Sequence, residues 1–176
     1  MSRLKRTVAL VGMMGAGKSS LGRRLAAKLE VPFRDADSEI EAAAGCSINQ
    51  IFERYGEAAF RDCERKVIAR LLAESPHVLA TGGGAFLDDD IRAGIKASAL
   101  SVWIKVPIEV LAERVTRRDT RPLLRNGNAR EILARLLAER EGTYAEADLT
   151  ISGEDGPHAA GVFRIVAALQ EREMLE

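Results

Sequence analysis

The chain has 176 residues with 26 basic and 26 acidic side chains, so its formal net charge is zero, and 47% of its residues are hydrophobic. This length suits one domain with a sizeable core, and the balanced charge speaks against the basic surface of a nucleic-acid-binding module. The two cysteines, Cys46 and Cys63, form no CxxC pair and have no histidine cluster beside them, a pattern that suits reduced thiols rather than a zinc site.

The elements alternate along the chain. Residues 7–11 (TVALV) form an apolar, β-branched run that stops at Gly12, as a buried parallel strand does. The run is too short for a secretory leader or a membrane span, so a cytoplasmic protein with no membrane partner is expected. Residues 19–29 repeat apolar positions at helical spacing, and 32–35 read as a second short strand. Residues 39–44 read as a helix ending at Gly45, and 47–54 as another capped by Ser47. Residues 58–72 form a long amphipathic helix, closed by Ser75-Pro76. A third strand, 77–81, runs into glycines, and 88–96 form a short helix with aspartates in its first turn. Residues 99–106 are a fourth strand, and 107–115 a helix with proline at its start. Residues 117–128 are rich in Arg, Gly and Asn and read as a functional loop. A helix at 129–144, a strand at 148–151 and a helix at 159–172 complete the chain. Strands alternating with helices predict a five-stranded parallel sheet covered on both faces, a three-layer α/β/α domain.

Gly12-Met13-Met14-Gly15-Ala16-Gly17-Lys18-Ser19 matches G-x-x-x-x-G-K-[ST], between the strand and helix that the motif requires. The glycines let backbone N–H groups close round phosphate oxygens, and the next helix adds its positive end. Gly12, Gly15, Ala16, Gly17, Lys18, Ser19 and Ser20 are therefore candidate nucleotide-binding residues, with Lys18 reaching the β- and γ-phosphates and Ser19 offering an oxygen to Mg²⁺. No guanine-specifying signature is present, and the chain is short for an ATPase motor, which leaves a small ATP-dependent kinase.

Other candidates cluster at strand ends. Asp35 and Asp37, spaced two apart at the end of the second strand, would share one face of an extended segment, one holding Mg²⁺ through water and the other taking a hydroxyl's hydrogen bond; alternatively Asp37 and Ser38 start the next helix as caps. Gly82-Gly83-Gly84 follow the third strand and give a ligand room to approach. Arg61 and Glu64 share a helix face at three-residue spacing: a carboxylate clamp, or a solvated surface pair. Arg121 precedes Pro122-Leu123-Leu124 in the loop, where an arginine can close over a transferring phosphoryl group. Arg140 lies one turn before Tyr144 as a second carboxylate ligand or another exposed charge, while His77 and His158 have no companions and Trp103 reads as core.

In this order, these motifs resemble the shikimate kinase family. The resemblance runs through Asp35-Ala36-Asp37, Ile40-Glu41, Gly56-Glu57, Phe60-Arg61 with Glu64, Gly82-Gly83-Gly84, Arg121-Pro122-Leu123-Leu124, and Arg140 with Tyr144. It implies a nucleoside-monophosphate-kinase-like fold in one domain, with a lid at about 116–128 and a substrate-binding helical region at about 35–64. It implies transfer of the γ-phosphate of MgATP to the 3-hydroxyl of shikimate, on the route to aromatic amino acids. By position, Asp37 would meet the acceptor hydroxyls and act as base, Arg61 and Arg140 would bind the carboxylate, and Gly82, Gly83 and Gly84 would line the substrate. Asp35 and Ser19 would hold Mg²⁺, and Arg121 with Lys18 would serve the phosphates. A monomer is expected. The chain departs from the family at Gly142, where proline is common, and Arg114, Arg117 and Arg118 compete for a place against adenine. The alternatives are a gluconate or nucleotide kinase, or a nucleotide-binding module without catalysis.

Overall fold

The computed structural model describes residues 3–117, 128–153 and 158–176. Five strands form one parallel sheet: β1 (Thr7–Val11), β2 (Phe33–Asp35), β3 (Val78–Ala80), β4 (Ala99–Lys105) and β5 (Leu149–Ser152), in the order β2-β3-β1-β4-β5. The pairing is continuous, with Leu10 opposite both Ala80 and Val102, and Asp35 opposite Ala80. Every residue of β1 is buried, which explains its unbroken apolar run: both of its faces are covered.

The helices are α1 (Lys18–Leu29), α2 (Ala36–Ala44), α3 (Ile48–Leu72), α4 (Asp89–Ser98), α5 (Ile108–Thr116), α6 (Ala129–Tyr144) and α7 (His158–Glu171). Their caps follow the sequence. Ser47 and Gln50 form a reciprocal capping box at α3, and Asp88 accepts from the backbone of Asp90 and Ile91 at α4. Inside α3, Gly56 has φ 84° and ψ 174°, a conformation no helix contains, so the segment is two helices meeting at a kink, as the separate readings of 47–54 and 58–72 have it. The 3-10 turn Ala85–Leu87 is not foreseen, because three residues carry no periodicity.

The core is packed from both sides of β1 and β4. Leu10, Leu25, Leu71, Leu79, Ile95 and Leu111 are completely or almost completely buried, each contributing about 1.5–3 kcal/mol of hydrophobic stabilisation. His77 is buried at the start of β3, its Nδ1 2.9 Å from the Ser75 carbonyl, and Trp103 is buried in β4. Among the described residues, no helix is long and apolar enough to cross a membrane.

The topology positions the site. In the order β2-β3-β1-β4-β5 the connection from β1 runs towards β2 and the one from β3 runs the other way to β4, so a crevice opens at the carboxyl ends of β1 and β3. The P-loop, the end of β2 and the glycine run all emerge along that edge.

Candidate active site

The P-loop is shaped by left-handed glycines at Gly15 (φ 81°) and Gly17 (φ 89°), the latter being the N-cap of α1. Gly12 is needed for a different reason. A Cβ there would lie 2.9 Å from the Ile104 carbonyl oxygen of the neighbouring strand. Lys18 is buried, and its Nζ donates to the carbonyls of Gly12 (2.5 Å) and Met13 (2.9 Å), which holds the ammonium along the inside of the loop. The Ser19 hydroxyl donates to Asp35 Oδ2 at 2.5 Å, joining the two groups expected to serve a metal. Ser20 lines the same cavity, of about 430 Å³, together with Asp37, Thr81 and the first two glycines of the run.

The aspartates reach this cavity by a route other than the one expected. β2 ends at Asp35, and α2 begins at Ala36, so Asp37 stands in the first turn of a helix and not on an extended segment. Asp35 itself is the N-cap, accepting from the Ser38 backbone at 3.2 Å. Capping and helix geometry, not strand alternation, bring both carboxylates to one side.

The side of the cleft facing the P-loop is built from α3, α6 and the glycine run. Arg61 donates to Glu64 Oε1 at 2.9 Å, and the Glu64 side chain is 1% exposed, so this is not a solvated surface pair. Burial pushes the Glu64 carboxyl up, against the pull of Arg61, and the nearby Asp37 charge adds to the rise. Its Oε2 has no hydrogen-bond partner among the described residues. Each glycine of the run makes room for one of these groups. A Cβ on Gly82 would meet Asp37 Oδ1 at 3.0 Å and Glu64 Oε2 at 3.1 Å, and one on Gly84 would meet both terminal nitrogens of Arg61 at 2.6 Å. On Gly83 it would approach the Met14 amide nitrogen at 3.3 Å and Arg140 Nη1 at 3.8 Å. The run is therefore a floor from which side chains are missing so that charged groups can converge.

Arg140 is 9% exposed, and its Nη1 has no hydrogen-bond partner among the described residues. A buried guanidinium N–H without a partner is costly unless an anion meets it. Tyr144, one turn on, is completely buried; its hydroxyl donates to the Gly83 carbonyl at 2.5 Å and lies 3.8 Å from Met13 Sδ. Burial raises the Tyr144 phenol, opposed by Arg140 and Arg61, the two cations near it. Gly142 lies within α6, and a Cβ there would meet nothing within 4 Å.

A second cavity, of about 220 Å³, adjoins the first between the P-loop and α7, lined by Leu21, Ile104, Ile151 and Arg114 among others. Of the three competing arginines, Arg114 enters this cavity and donates to the carbonyls of Gly15 (3.2 Å) and Ala16 (3.3 Å). Arg117 is mostly exposed and pairs with Glu113. Arg118, Arg121 and most of the expected lid lie outside the described residues.

His158 was assigned nothing by sequence, yet it lines both cavities. One signal links it to the others. On α3 the buried stripe runs Phe60, Glu64, Val67, Ile68, Leu71; on α6 it runs Leu133, Arg140, Tyr144; and His158 stands four residues before Val162 on the stripe Val162, Ile165, Leu169 of α7. A charged or titratable residue in phase with an apolar stripe faces inwards, and periodicity makes that readable without a structure.

A family model described as Shikimate kinase matches residues 14–170. A shikimate kinase of Caulobacter vibrioides is 55% identical over 166 residues, covering 94% of this chain and 83% of its own length. One of Paramagnetospirillum magneticum is 55% identical over 167 residues, 95% of this chain and 86% of its own. The solved structure of Acinetobacter baumannii shikimate kinase in complex with shikimate superposes with a TM-score of 0.92 at 37% identity, over 95% of this chain and 94% of that one. With the family model spanning nearly all of its length, and with relatives this similar, the chain belongs to the shikimate kinase family.

Proposed function

We propose that this protein transfers the γ-phosphoryl group of ATP to the 3-hydroxyl of shikimate, giving shikimate 3-phosphate and ADP. One observation carries the reading: two arginines, one of them buried with a partnerless N–H, converge over a glycine floor beside a P-loop and an aspartate. A nucleotide alone needs the P-loop; the second half of the cleft is suited to a small acceptor with a carboxylate at one end and hydroxyls at the other.

In this reading Arg61 and Arg140 take the acceptor carboxylate, and Glu64 keeps Arg61 turned towards it. Asp37, across the floor at Gly82, receives the hydroxyl proton as that oxygen bonds to the γ-phosphorus and the bond to the bridging oxygen of ADP breaks. Lys18 exchanges its carbonyl partners for β- and γ-phosphate oxygens, stabilising charge where it develops. Tyr144 ties the Gly83 backbone to α6, so the floor and Arg140 keep a fixed spacing. The assignment of Arg121 to the γ-phosphoryl group rests on its motif.

The residues present fit a Mg²⁺ ion arriving with ATP. Among the described residues no three His, Cys, Asp or Glu side chains converge as a metal cage, and Mg²⁺ is commonly held through one or two protein oxygens plus substrate phosphates. Ser19 and Asp35, already 2.5 Å apart, are the oxygens in place. When bound, the ion supplies charge neutralisation of the phosphates.

The test is ADP release from MgATP with shikimate, gluconate, quinate and nucleoside monophosphates offered one at a time. Saturable turnover with shikimate is expected. Turnover with another acceptor alone would replace the substrate, and silence with all of them from protein that still binds ATP would leave a nucleotide-binding module.

A further inference from the structure

We infer that the His158 imidazole is a nucleotide-positioning contact, donating a hydrogen bond to the phosphate chain of the bound nucleotide beside Gly17. The inference rests on the ATP site proposed above and adds to it a residue from α7, an element outside the P-loop motif. It starts from the ring's placement. His158 is the first residue of α7, in phase with the buried stripe of that helix, and the ring is only half buried. It lines both the cavity over the P-loop and the cavity holding Arg114 and Ile151, so it stands where the two join.

The contact with the P-loop is close. A Cβ on Gly17 would lie 3.6 Å from the His158 ring carbon Cε1 and 3.5 Å from Arg114 Nη1. The ring and the guanidinium thus border the same bare Cα. Gly17 is the N-cap of α1, the residue from which the phosphate-facing N–H groups of that helix begin. A nucleotide whose phosphates lie on this helix end and whose base enters the Arg114 cavity must pass His158 at its α-phosphate or ribose. Arg114 also holds the loop carbonyls of Gly15 and Ala16, whereas His158 borders both cavities.

The charge around the ring sets how it acts. Burial first, and then Arg24 of α1 and Arg114 of α5, push its pKa below the ordinary imidazole value. The carboxylates facing the same space are Asp35 and Asp37, across the P-loop cavity. The downward shift favours the neutral ring, which contributes an N–H donor, while the arginines carry the positive charge. This predicts that shape and hydrogen bonding, not charge, are what the side chain at 158 must provide.

The experiment compares His158→Ala and His158→Gln with the wild type by calorimetric titration with ATP, ADP, AMP and adenosine, without acceptor. A glutamine amide can place a donor near the lost ring nitrogen. His158→Ala is expected to weaken ATP and ADP about tenfold, to leave adenosine within twofold, and to leave the shikimate KM within twofold. His158→Gln is expected to recover most of the loss. The inference is overturned if His158→Ala binds ATP within twofold of wild type, if the penalty is equal for adenosine, or if glutamine restores nothing while melting as the wild type does. Failure of the phosphotransfer reading is separable, because it shows in the wild type as ADP release that no acceptor stimulates, while these binding measurements stand unaffected.

Discussion

The two halves of the cleft are made in opposite ways. The nucleotide half is mostly backbone: contiguous residues 12–20, three of them glycines with positive φ, present N–H groups and hold one lysine against its own loop. The half proposed for the acceptor is mostly side chain: Asp37, Arg61, Glu64, Arg140 and Tyr144 come from three helices and meet over glycines that make room for them, one of which also accepts the Tyr144 hydroxyl. A triphosphate is common to many enzymes and can be gripped by peptide groups in one fixed curve. An acceptor must be distinguished from similar molecules, which takes directional groups brought together by the tertiary fold. The difference teaches where sequence motifs are strong, and where only topology assembles a site.

That contrast can be broken at several points. The largest effect is expected at Asp37→Asn, which keeps size and polarity but cannot take the proton: kcat should fall by about 10²–10⁴-fold, with ATP affinity within twofold. A steady-state assay checks this, and unchanged kcat would remove the base from the mechanism. Next comes Gly84→Ala. Its backbone is unstrained, but the new methyl would sit 2.6 Å from both terminal nitrogens of Arg61. The displaced guanidinium should cost about a hundredfold in kcat/KM for the acceptor. Gly142→Ala is the control, since nothing lies near its Cα, and it should stabilise α6 by about 0.5–1 kcal/mol. Equal effects of the two alanines on acceptor kinetics would refute the floor.

Smaller, and a sharpening of the same comparison, is Tyr144→Phe. Losing the hydroxyl leaves the Gly83 carbonyl without that donor, so acceptor KM should rise about tenfold and stability fall by about 1–2 kcal/mol. Nucleotide titration should not respond if the two halves are independent. The smallest effect is pH-dependent. The native state raises the Glu64 carboxyl above its unfolded value, so it holds more protons than the unfolded chain in the window between the two. Stability from this group is therefore greatest below the ordinary carboxylate range and declines as pH rises through the native value. Glu64→Gln lacks that slope, so melting temperatures of the variant should gain on the wild type as pH rises across the window. A constant difference would show that Glu64 does not titrate on folding.

The nucleotide half and the sheet were legible because their signals are local. β1 and α6 fall on the expected residues, since an apolar run ending in glycine and a 16-residue periodic segment have one reading each. The acceptor half was legible only in part. Residue spacing places Arg61 beside Glu64 but does not say whether the pair is wet; the stripe through Phe60, Val67 and Leu71 does, and it shows the glutamate pointing in. Asp37 was rightly grouped with Asp35 on the wrong geometry: β2 ends at Asp35 as expected, but α2 begins at Ala36 and not at 39, which turns an extended face into the first turn of a helix. His158 carries no local pattern beyond its phase on α7; that it meets the P-loop depends on β5 lying next to β4.

The central claim is that the acceptor half reads a carboxylate through Arg61 and Arg140. Steady-state turnover of shikimate against its methyl ester, in the wild type and in Arg140→Leu, tests it most directly. The account predicts that the wild type prefers the acid by about a thousandfold in kcat/KM and that Arg140→Leu loses most of that preference, chiefly by losing the acid. Equal use of acid and ester by the wild type, or a preference untouched by the substitution, would contradict it.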